Sequence, residues 1–218
     1  GDGTFEEIGE TTGLGISDHT SSALFADFDN DGDVDVFLGR TLQRSMYLVN
    51  VGGRFVDRSR DLVDGPLPGL VSSVSAVDYD NDGLLDVYFA TYAAGLTNEK
   101  PTSEWAPYLP PGDAKELIRL RGTSEHHPIL NRFGPPNVLL RNLGAGRFAP
   151  ADGTELRVFK NSYQATWADY DNDGDMDVYV ANDFAPNNLL RNEGNGRFTD
   201  VTEATGTAEL RGALFLHR

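Results

Sequence analysis

The stretch DFDNDGDVDV, from Asp27 to Val36, carries five aspartates within nine residues and then continues into apolar residues. The same order returns as DYDNDGLLDV, from Asp78 to Val87, and as DYDNDGDMDV, from Asp169 to Val178. Together the three stretches hold 14 of the 34 acidic residues, so much of the negative charge is local. Crowded carboxylates repel one another, and this recurring order therefore indicates that something positively charged lies among their oxygens.

The segments around the acidic stretches repeat as well, with a period of about 50 residues. A glycine turn followed by phenylalanine recurs, and MYLVN, NVLLRN or NNLLRN precedes the last three of these turns; the phenylalanines are Phe5, Phe55, Phe148 and Phe198. In the third unit the pattern predicts four strands, at 163–170, 176–182, 187–192 and 196–202. The second strand of each unit is apolar on both faces, which is typical of a strand covered on both sides.

Four short strands per unit, with burial on both sides, favour the blades of a β-propeller. We therefore predict an all-β fold, a single propeller segment over residues 1–218, with whole four-stranded blades at about 22–59, 74–151 and 163–202. The second unit is longer than the others because of an insert at 93–136, which holds seven of the 11 prolines. Within the insert, residues 112–122 predict a short helix. We expect the rest to be irregular and the insert to emerge at one rim of the propeller.

Both ends of the chain resemble parts of a further blade. TFEEIG, at 4–9, matches a last strand, and ALFLHR, at 213–218, matches the start of a first strand. Three blades rarely close a ring, so we expect partial blade strands at both ends of a longer propeller. Alternatively, a neighbouring subunit completes them through Gly3–Gly9 and Ala213–Arg218, which would build a filament. The mass of the native particle separates these two expectations.

The spacing Asp-x-Asp-x-Asp-Gly-x-x-Asp suits calcium, which takes 6–8 oxygen ligands, many of them from one short loop. An EF-hand would need a glutamate at position twelve, where Leu38, Phe89 and Val180 stand. Magnesium prefers more water, and zinc prefers histidine or cysteine. The residue at position seven would offer its backbone carbonyl. We predict three Ca²⁺ sites, formed by Asp27, Asp29, Asp31, Asp33 and Asp35; by Asp78, Asp80, Asp82, Leu84 and Asp86; and by Asp169, Asp171, Asp173, Asp175 and Asp177.

Composition excludes several classes of function. The net charge of −16 and the pI of about 4.5 make nucleic acid an unsuitable partner, because phosphate binding needs clustered lysine and arginine. The absence of cysteine excludes disulfides, thiol catalysis and cysteine-ligated zinc. No run of 18 apolar residues occurs, so we expect no membrane-spanning helix.

The acidic loops together with the NxLLRNxGxGRF pattern resemble FG-GAP/VCBS-type repeats, as found in the integrin α-subunit propeller and in bacterial relatives of cartilage acidic protein. The resemblance covers nearly the whole chain except the insert. It implies a seven- or eight-bladed propeller that is secreted or at the cell surface, with calcium in its loops. It also implies a role in adhesion or matrix binding. No catalytic residue carries over from the family.

Three functions follow from these observations. The first is an extracellular, calcium-stabilised structural or adhesive module that binds a protein or a glycan. The second is a subunit of a filament or surface assembly, with copies of itself as partners. The third is a calcium-dependent polysaccharide-active enzyme, for which His126 and His127 are the main candidates. Adjacent residues in an extended stretch point in opposite directions, so we expect no concerted pair and no enzyme. Trp105 would either stack on sugar or fill the insert's own core, and we expect the core.

Overall fold

A computed structural model describes residues 3–208 apart from 111, 123–131, 152–154 and 195. The described residues form three four-stranded antiparallel sheets, each a meander of consecutive strands. The strands of the first sheet are β1 (Thr20–Ala26), β2 (Asp35–Arg40), β3 (Met46–Val51) and β4 (Arg54–Asp57); those of the second are β5 (Val71–Val77), β6 (Asp86–Thr91), β7 (Val138–Asn142) and β8 (Phe148–Pro150); those of the third are β9 (Asn161–Ala168), β10 (Asp177–Asp183), β11 (Asn188–Asn192) and β12 (Phe198–Asp200).

Six short α-helices accompany the sheets in the described part of the chain. They are α1 (Gly9–Thr12), α2 (Ser59–Leu62), α3 (Ala94–Glu99), α4 (Thr102–Trp105), α5 (Asp113–Gly122) and α6 (Thr202–Thr205). None of these helices has the length and apolar character that crossing a membrane requires.

The sheets stand side by side in a β-propeller-like arrangement, with β1, β5 and β9 as neighbouring innermost strands. A serine hydroxyl joins each pair: Ser21 Oγ donates to the carbonyl of Val71, and Ser72 Oγ donates to that of Ser162, both at 2.6 Å. The second strands β2 and β6 are buried at every residue, as their apolar sequences predict. The described residues do not close into a ring.

Each innermost strand contains a bulge at the same place. The register shifts between Thr20 and Ser22 in β1, and between Val71 and Ser73 in β5. A bulge leaves one residue out of the ladder and redirects its side chain. Ser21 and Ser72 are the residues left out, which explains why their hydroxyls reach the neighbouring sheet.

The core between the first two sheets is aromatic. Phe37 stacks on Tyr47 with ring centroids 4.3 Å apart, and it meets Phe28 and Phe148 edge-on at 5.1 Å each. Between the second and third sheets, Trp167 packs edge-on against Tyr88 with centroids 5.6 Å apart. Since most members of these clusters are almost completely buried, hydrophobic contact between consecutive sheets is the main stabilising element.

The insert is more ordered than its prolines suggested. The predicted helix at 112–122 is present as α5, but the expectation that the rest is irregular was wrong, because α3, α4 and a 3₁₀ turn at Ala106–Tyr108 precede it. Pro101 stands at the N-cap of α4 and Pro107 in the first turn of the 3₁₀ segment, where proline is tolerated. Trp105 is buried with Leu109 and Leu117 in a small core of the insert, as expected.

The predicted partial strand near the N-terminus is wrong. Residues 4–8 form no strand, Phe5 is 101% exposed, and the chain then turns into α1. A strand needs a partner for its backbone groups, and none of the three described sheets includes residues 4–8. Leu14 and Ile16 pack instead on the open face of the first sheet. The matching C-terminal segment, 213–218, lies outside the described residues. The filament alternative needed a strand at each end of the chain, and the N-terminal one is not formed.

Because the strands are antiparallel, the connections separate into two ends of the molecule. The three acidic loops connect β1 to β2, β5 to β6 and β9 to β10, and they share one end, called the loop end below. The connections from β2 to β3 and from β6 to β7 share the opposite end. The insert belongs to the second of these connections, so this is called the insert end.

Candidate metal centres

The three acidic loops have the same backbone hydrogen bonds. In the first, Asp27 Oδ1 accepts from the Asp31 N–H at 3.2 Å, and its Oδ2 accepts from the Gly32 N–H at 3.0 Å. Asp78 and Asp169 make the equivalent pairs of bonds in their own loops, at 2.9–3.1 Å. The first aspartate therefore closes each loop by itself.

Two residues in each loop adopt the left-handed backbone conformation. The asparagines have φ near 60° and the glycines have φ of 85–98°; they are Asn30, Asn81 and Asn172, followed by Gly32, Gly83 and Gly174. Asparagine and glycine tolerate this region better than other residues, which is why the sequence repeats them there. The resulting tight turn brings the alternating aspartates towards one point.

In each loop three carboxylates converge so that one oxygen from each lies within 4.8 Å of the other two. The groups are Asp27, Asp29 and Asp31; Asp78, Asp80 and Asp86; and Asp169, Asp171 and Asp177. These nine residues belong to the predicted ligand sets. The described groups do not include the side chains of the remaining predicted positions, which are Asp33, Asp35, Asp82, Leu84, Asp173 and Asp175.

The last aspartate of each loop is a buried acceptor at the start of the second strand. Asp86 Oδ1 accepts from the Asn142 N–H at 2.8 Å, and its Oδ2 accepts from the Tyr79 N–H at 3.2 Å. Asp177 repeats both bonds with Asn192 and Tyr170. Burial raises the pKa of Asp86 to about 7 and also raises the pKa of Asp177. This residue therefore ties the loop to the third strand, whether or not a cation is near.

The donor set fits a hard dication. Every convergent group is a carboxylate, which suits calcium better than zinc. Burial and neighbouring aspartates raise the pKa of Asp29, and burial raises that of Asp80 despite a nearby arginine. The Asp80 Oδ1 atom is buried without a hydrogen-bond partner among the described residues. A cation would stabilise the charged forms of these carboxylates and satisfy that oxygen.

Arg141 makes the second loop different from the other two. Its Nε lies 2.8 Å from Asp80 Oδ2 and its Nη2 lies 3.2 Å from Asp82 Oδ2. In the third unit the equivalent Arg191 turns away to Glu193, at 2.8 Å. In the first unit the position is Val49. In the second loop, therefore, the guanidinium of Arg141 already pairs with two of the carboxylates. One sequence difference indicates this contact: the third unit has Glu193, which pairs with Arg191, where the second unit has Leu143.

The asparagine that ends the third strand was not among the predicted site residues. Asn142 Nδ2 donates to the carbonyl of Phe28 in the first acidic loop at 2.8 Å, and Asn192 Nδ2 donates to that of Tyr79 in the second acidic loop at 2.7 Å. The first-unit equivalent, Asn50, donates to Val34 within its own sheet. The recurring asparagine of the LVN and LLRN segments was the signal for these inter-sheet bonds.

A side chain at position seven joins two of the loops. Asp175 Oδ1 accepts from Asn81 Nδ2 at 2.7 Å, so the third loop is bonded to the second. Leu84 occupies the same position in the second loop and has no polar group for a similar bond. The side chain at position seven therefore contacts a neighbouring loop in the third unit, while its backbone carbonyl remains the predicted ligand.

The structure does not test the candidate catalytic residues. His126 and His127 lie outside the described residues. Trp105 is 2% exposed in the insert's core and offers no ring face for a sugar.

The sequence was compared with known proteins. The family model for the FG-GAP-like repeat matches residues 129–180 and, again, residues 169–214. Cartilage acidic protein 1 from Xenopus tropicalis is 35% identical over 98 residues, which cover 43% of this chain and 15% of that relative. Both matches agree with the repeats and with the propeller-like sheets. Residues 129–214 therefore resemble the FG-GAP-like repeat, and the chain spans only a small part of the relative's length.

Proposed function

We propose that this chain is part of an extracellular, calcium-stabilised β-propeller that acts as a structural or adhesive module and binds a protein or a glycan. The observation that carries the proposal is that three carboxylates converge within 4.8 Å of one another in each of three consecutive loops. The family match supports binding in preference to catalysis. The similarity to cartilage acidic protein 1 supports an extracellular location.

Calcium would act on stability in this proposal. Each acidic loop connects the innermost strand of a sheet to its buried second strand. An ion held by Asp27, Asp29 and Asp31, or by the three convergent aspartates of either other loop, would neutralise carboxylates that otherwise repel one another. An ion that binds the folded chain and not the unfolded chain stabilises the fold by mass action, by about 2.7 kcal/mol at 100 times its Kd.

Replacing a convergent aspartate tests the metal. Asp29→Ala and Asp171→Ala are expected to lower the melting temperature in saturating calcium by roughly 5 °C or more, from the loss of one ion's stabilisation. In EDTA the same variants should melt close to the parent, because only repulsion has been removed. Differential scanning calorimetry in both conditions measures the effect.

Asp33→Ala is the matched control for Asp29→Ala. It removes the same charge from the same loop, but its carboxylate is exposed and lies outside the convergent group. It should keep most of the calcium-dependent shift. If Asp29→Ala and Asp171→Ala keep the full shift as well, calcium does not bind at these loops and the proposal is wrong.

The arginine in the second loop should weaken calcium binding there. Arg141→Val reproduces Val49 of the first unit and frees Asp80 and Asp82 from the guanidinium. We expect about tenfold tighter calcium binding at one of the sites, since removing a nearby cation is worth about 1.4 kcal/mol. Isothermal titration calorimetry resolves the change.

Arg191→Val is the matched control for Arg141→Val, because Arg191 pairs with Glu193 and not with the loop aspartates. Its calcium isotherm should stay within about twofold of the parent. Equal isotherms for Arg141→Val and the parent would show that the guanidinium does not compete with the ion.

A further inference from the structure

A cavity of about 580 Å³ opens at the insert end, between the first sheet and the segment that leads to the second. Among the described residues that line it are three arginines, Arg40, Arg44 and Arg60. The chain as a whole carries a net charge of −16. The lining of this cavity is therefore positively charged although the protein as a whole is acidic, and it lies at the end opposite the acidic loops.

Arg40 is a buried cation that its neighbours satisfy incompletely. It ends β2, and its side chain is 9% exposed. Its Nη2 lies 2.6 Å from Asp18 Oδ2 and also donates to Gln43 Oε1, and its Nη1 donates to the Arg44 carbonyl at 3.4 Å. Its Nε is buried with no hydrogen-bond partner among the described residues. Burying a guanidinium with an orphaned donor costs stability, so its retention calls for a reason.

The other two arginines add charge that no described carboxylate neutralises. Arg44 donates to the carbonyl of Leu67 at 3.0 Å and to that of Pro107 in the insert, and carbonyls carry no net charge. Arg60 is exposed on α2. Neither forms an ion pair within the described part of the chain. Burial lowers the pKa of Arg44, which is the direction expected for a cation that lacks a counter-charge.

The third repeat unit provides an internal comparison. Counted from the last aspartate of the loop and from the end of the fourth strand, its equivalents of Arg40, Arg44 and Arg60 are Asn182, Pro186 and Glu203. Asn182 is satisfied, since its N–H donates to Asn187 Oδ1 at 2.8 Å and its side chain donates to Asn188 Oδ1 at 2.9 Å. The fold therefore does not need arginine at these positions, and the cluster is particular to the first unit.

We propose that this cavity binds an acidic saccharide, with its carboxylate held by the arginines. A volume of this size is within the range of small-ligand sites, and arginine binds carboxylate with paired hydrogen bonds. Asp57 also lines the cavity. It would repel a bare anion but accept hydrogen bonds from sugar hydroxyls, so the lining suits a ligand that has both an anionic group and hydroxyl groups. The site does not depend on the metal centres at the other end.

Tetragalacturonate is a suitable probe, with its methyl ester as the uncharged counterpart. Titration of the calcium-saturated protein by calorimetry should show binding of the acid and at least tenfold weaker binding of the ester. Arg60→Glu, which installs the residue of the third unit, should weaken binding of the acid about tenfold, from the loss of one charge-assisted contact. Because Arg60 is exposed, the melting temperature of this variant should equal that of the parent.

Arg54→Glu is the matched control, since it makes the same charge change at an exposed position of the loop end. Its affinity for tetragalacturonate should stay within about twofold of the parent's. Arg40→Thr, which copies Thr91 of the second unit, should also lose binding if its melting curve remains cooperative. Equal binding of the ester, a larger loss in Arg54→Glu than in Arg60→Glu, or no binding of tetragalacturonate would each overturn the proposal. Inorganic sulfate or a tetraglutamate peptide that binds as tightly would show that the cavity recognises charge and not a saccharide.

Discussion

Replacing Phe37 with alanine is expected to destabilise the fold by about 4 kcal/mol, the typical cost of truncating a fully buried phenylalanine. Phe37 is 0% exposed and lies at the centre of the aromatic cluster between the first two sheets. It contacts Phe28, Tyr47, Phe89 and Phe148, with centroid distances of 4.3–5.9 Å. The cavity left by its ring would border four side chains from two sheets, which cannot all move in to fill it.

Urea unfolding followed by circular dichroism, in saturating calcium, measures this loss. Phe25→Ala is the control: Phe25 lies on the neighbouring strand β1 but is 51% exposed, with an edge-on contact to Phe55. Its truncation should cost no more than about 1 kcal/mol. Similar midpoints for the two variants would mean that the sheets do not pack through this cluster.

Asn142→Ala is expected to cost about 3 kcal/mol, because it leaves several buried polar groups unpaired. The amide of Asn142 donates to the carbonyl of Phe28 in the first acidic loop and to that of Leu85 in the second, and its oxygen accepts from the Gly144 N–H at 2.9 Å. Alanine replaces none of these bonds. The loss should be the same with and without calcium, which distinguishes it from the loss caused by the loop variants.

Asn50→Ala is the matched control for Asn142→Ala. Asn50 holds the same position in the first unit and accepts from the Gly53 N–H at 2.8 Å, but its amide donates only within its own sheet among the described residues. It should cost about 1 kcal/mol. A cost equal to that of Asn142→Ala would show that the bond between sheets contributes nothing.

The sequence predicted the sheets well because each rests on local signals. The second strands contain runs of apolar residues at their centres, and the loops repeat asparagine and glycine at the positions with positive φ. Burial of the repeated phenylalanine was not predictable in the same way. Phe148 and Phe198 are buried, whereas Phe55 is partly exposed and Phe5 is fully exposed, although all four follow a glycine turn. The difference depends on whether a preceding sheet covers the ring, and a local motif does not contain that information.

In the candidate site, too, local features were predictable from the sequence and contacts between distant segments were not. Convergence of Asp27, Asp29 and Asp31 follows from alternating residues in a tight turn, so spacing alone predicted it. The contact of Arg141 with Asp80 depends on the alignment of β7 with β6 across the insert, and no local pattern reports that alignment. The arginine cavity was missed for the same reason, because Arg40 ends β2 and Arg44 follows it closely, whereas Arg60 comes from α2.

The polar bonds between sheets have a consequence for how such a protein can evolve. Ser21, Ser72, Asn142 and Asn192 each reach across to a backbone carbonyl, and never to a side chain. Each of these four bonds depends on one side chain only, so the accepting residue is free to change without breaking it. Other bonds between the sheets, such as that from Trp167 Nε1 to Ser75 Oγ, need two matching side chains. A duplicated unit could therefore keep these four kinds of bond beside a diverged neighbour, while the apolar faces and the paired side-chain bonds would still have to be matched.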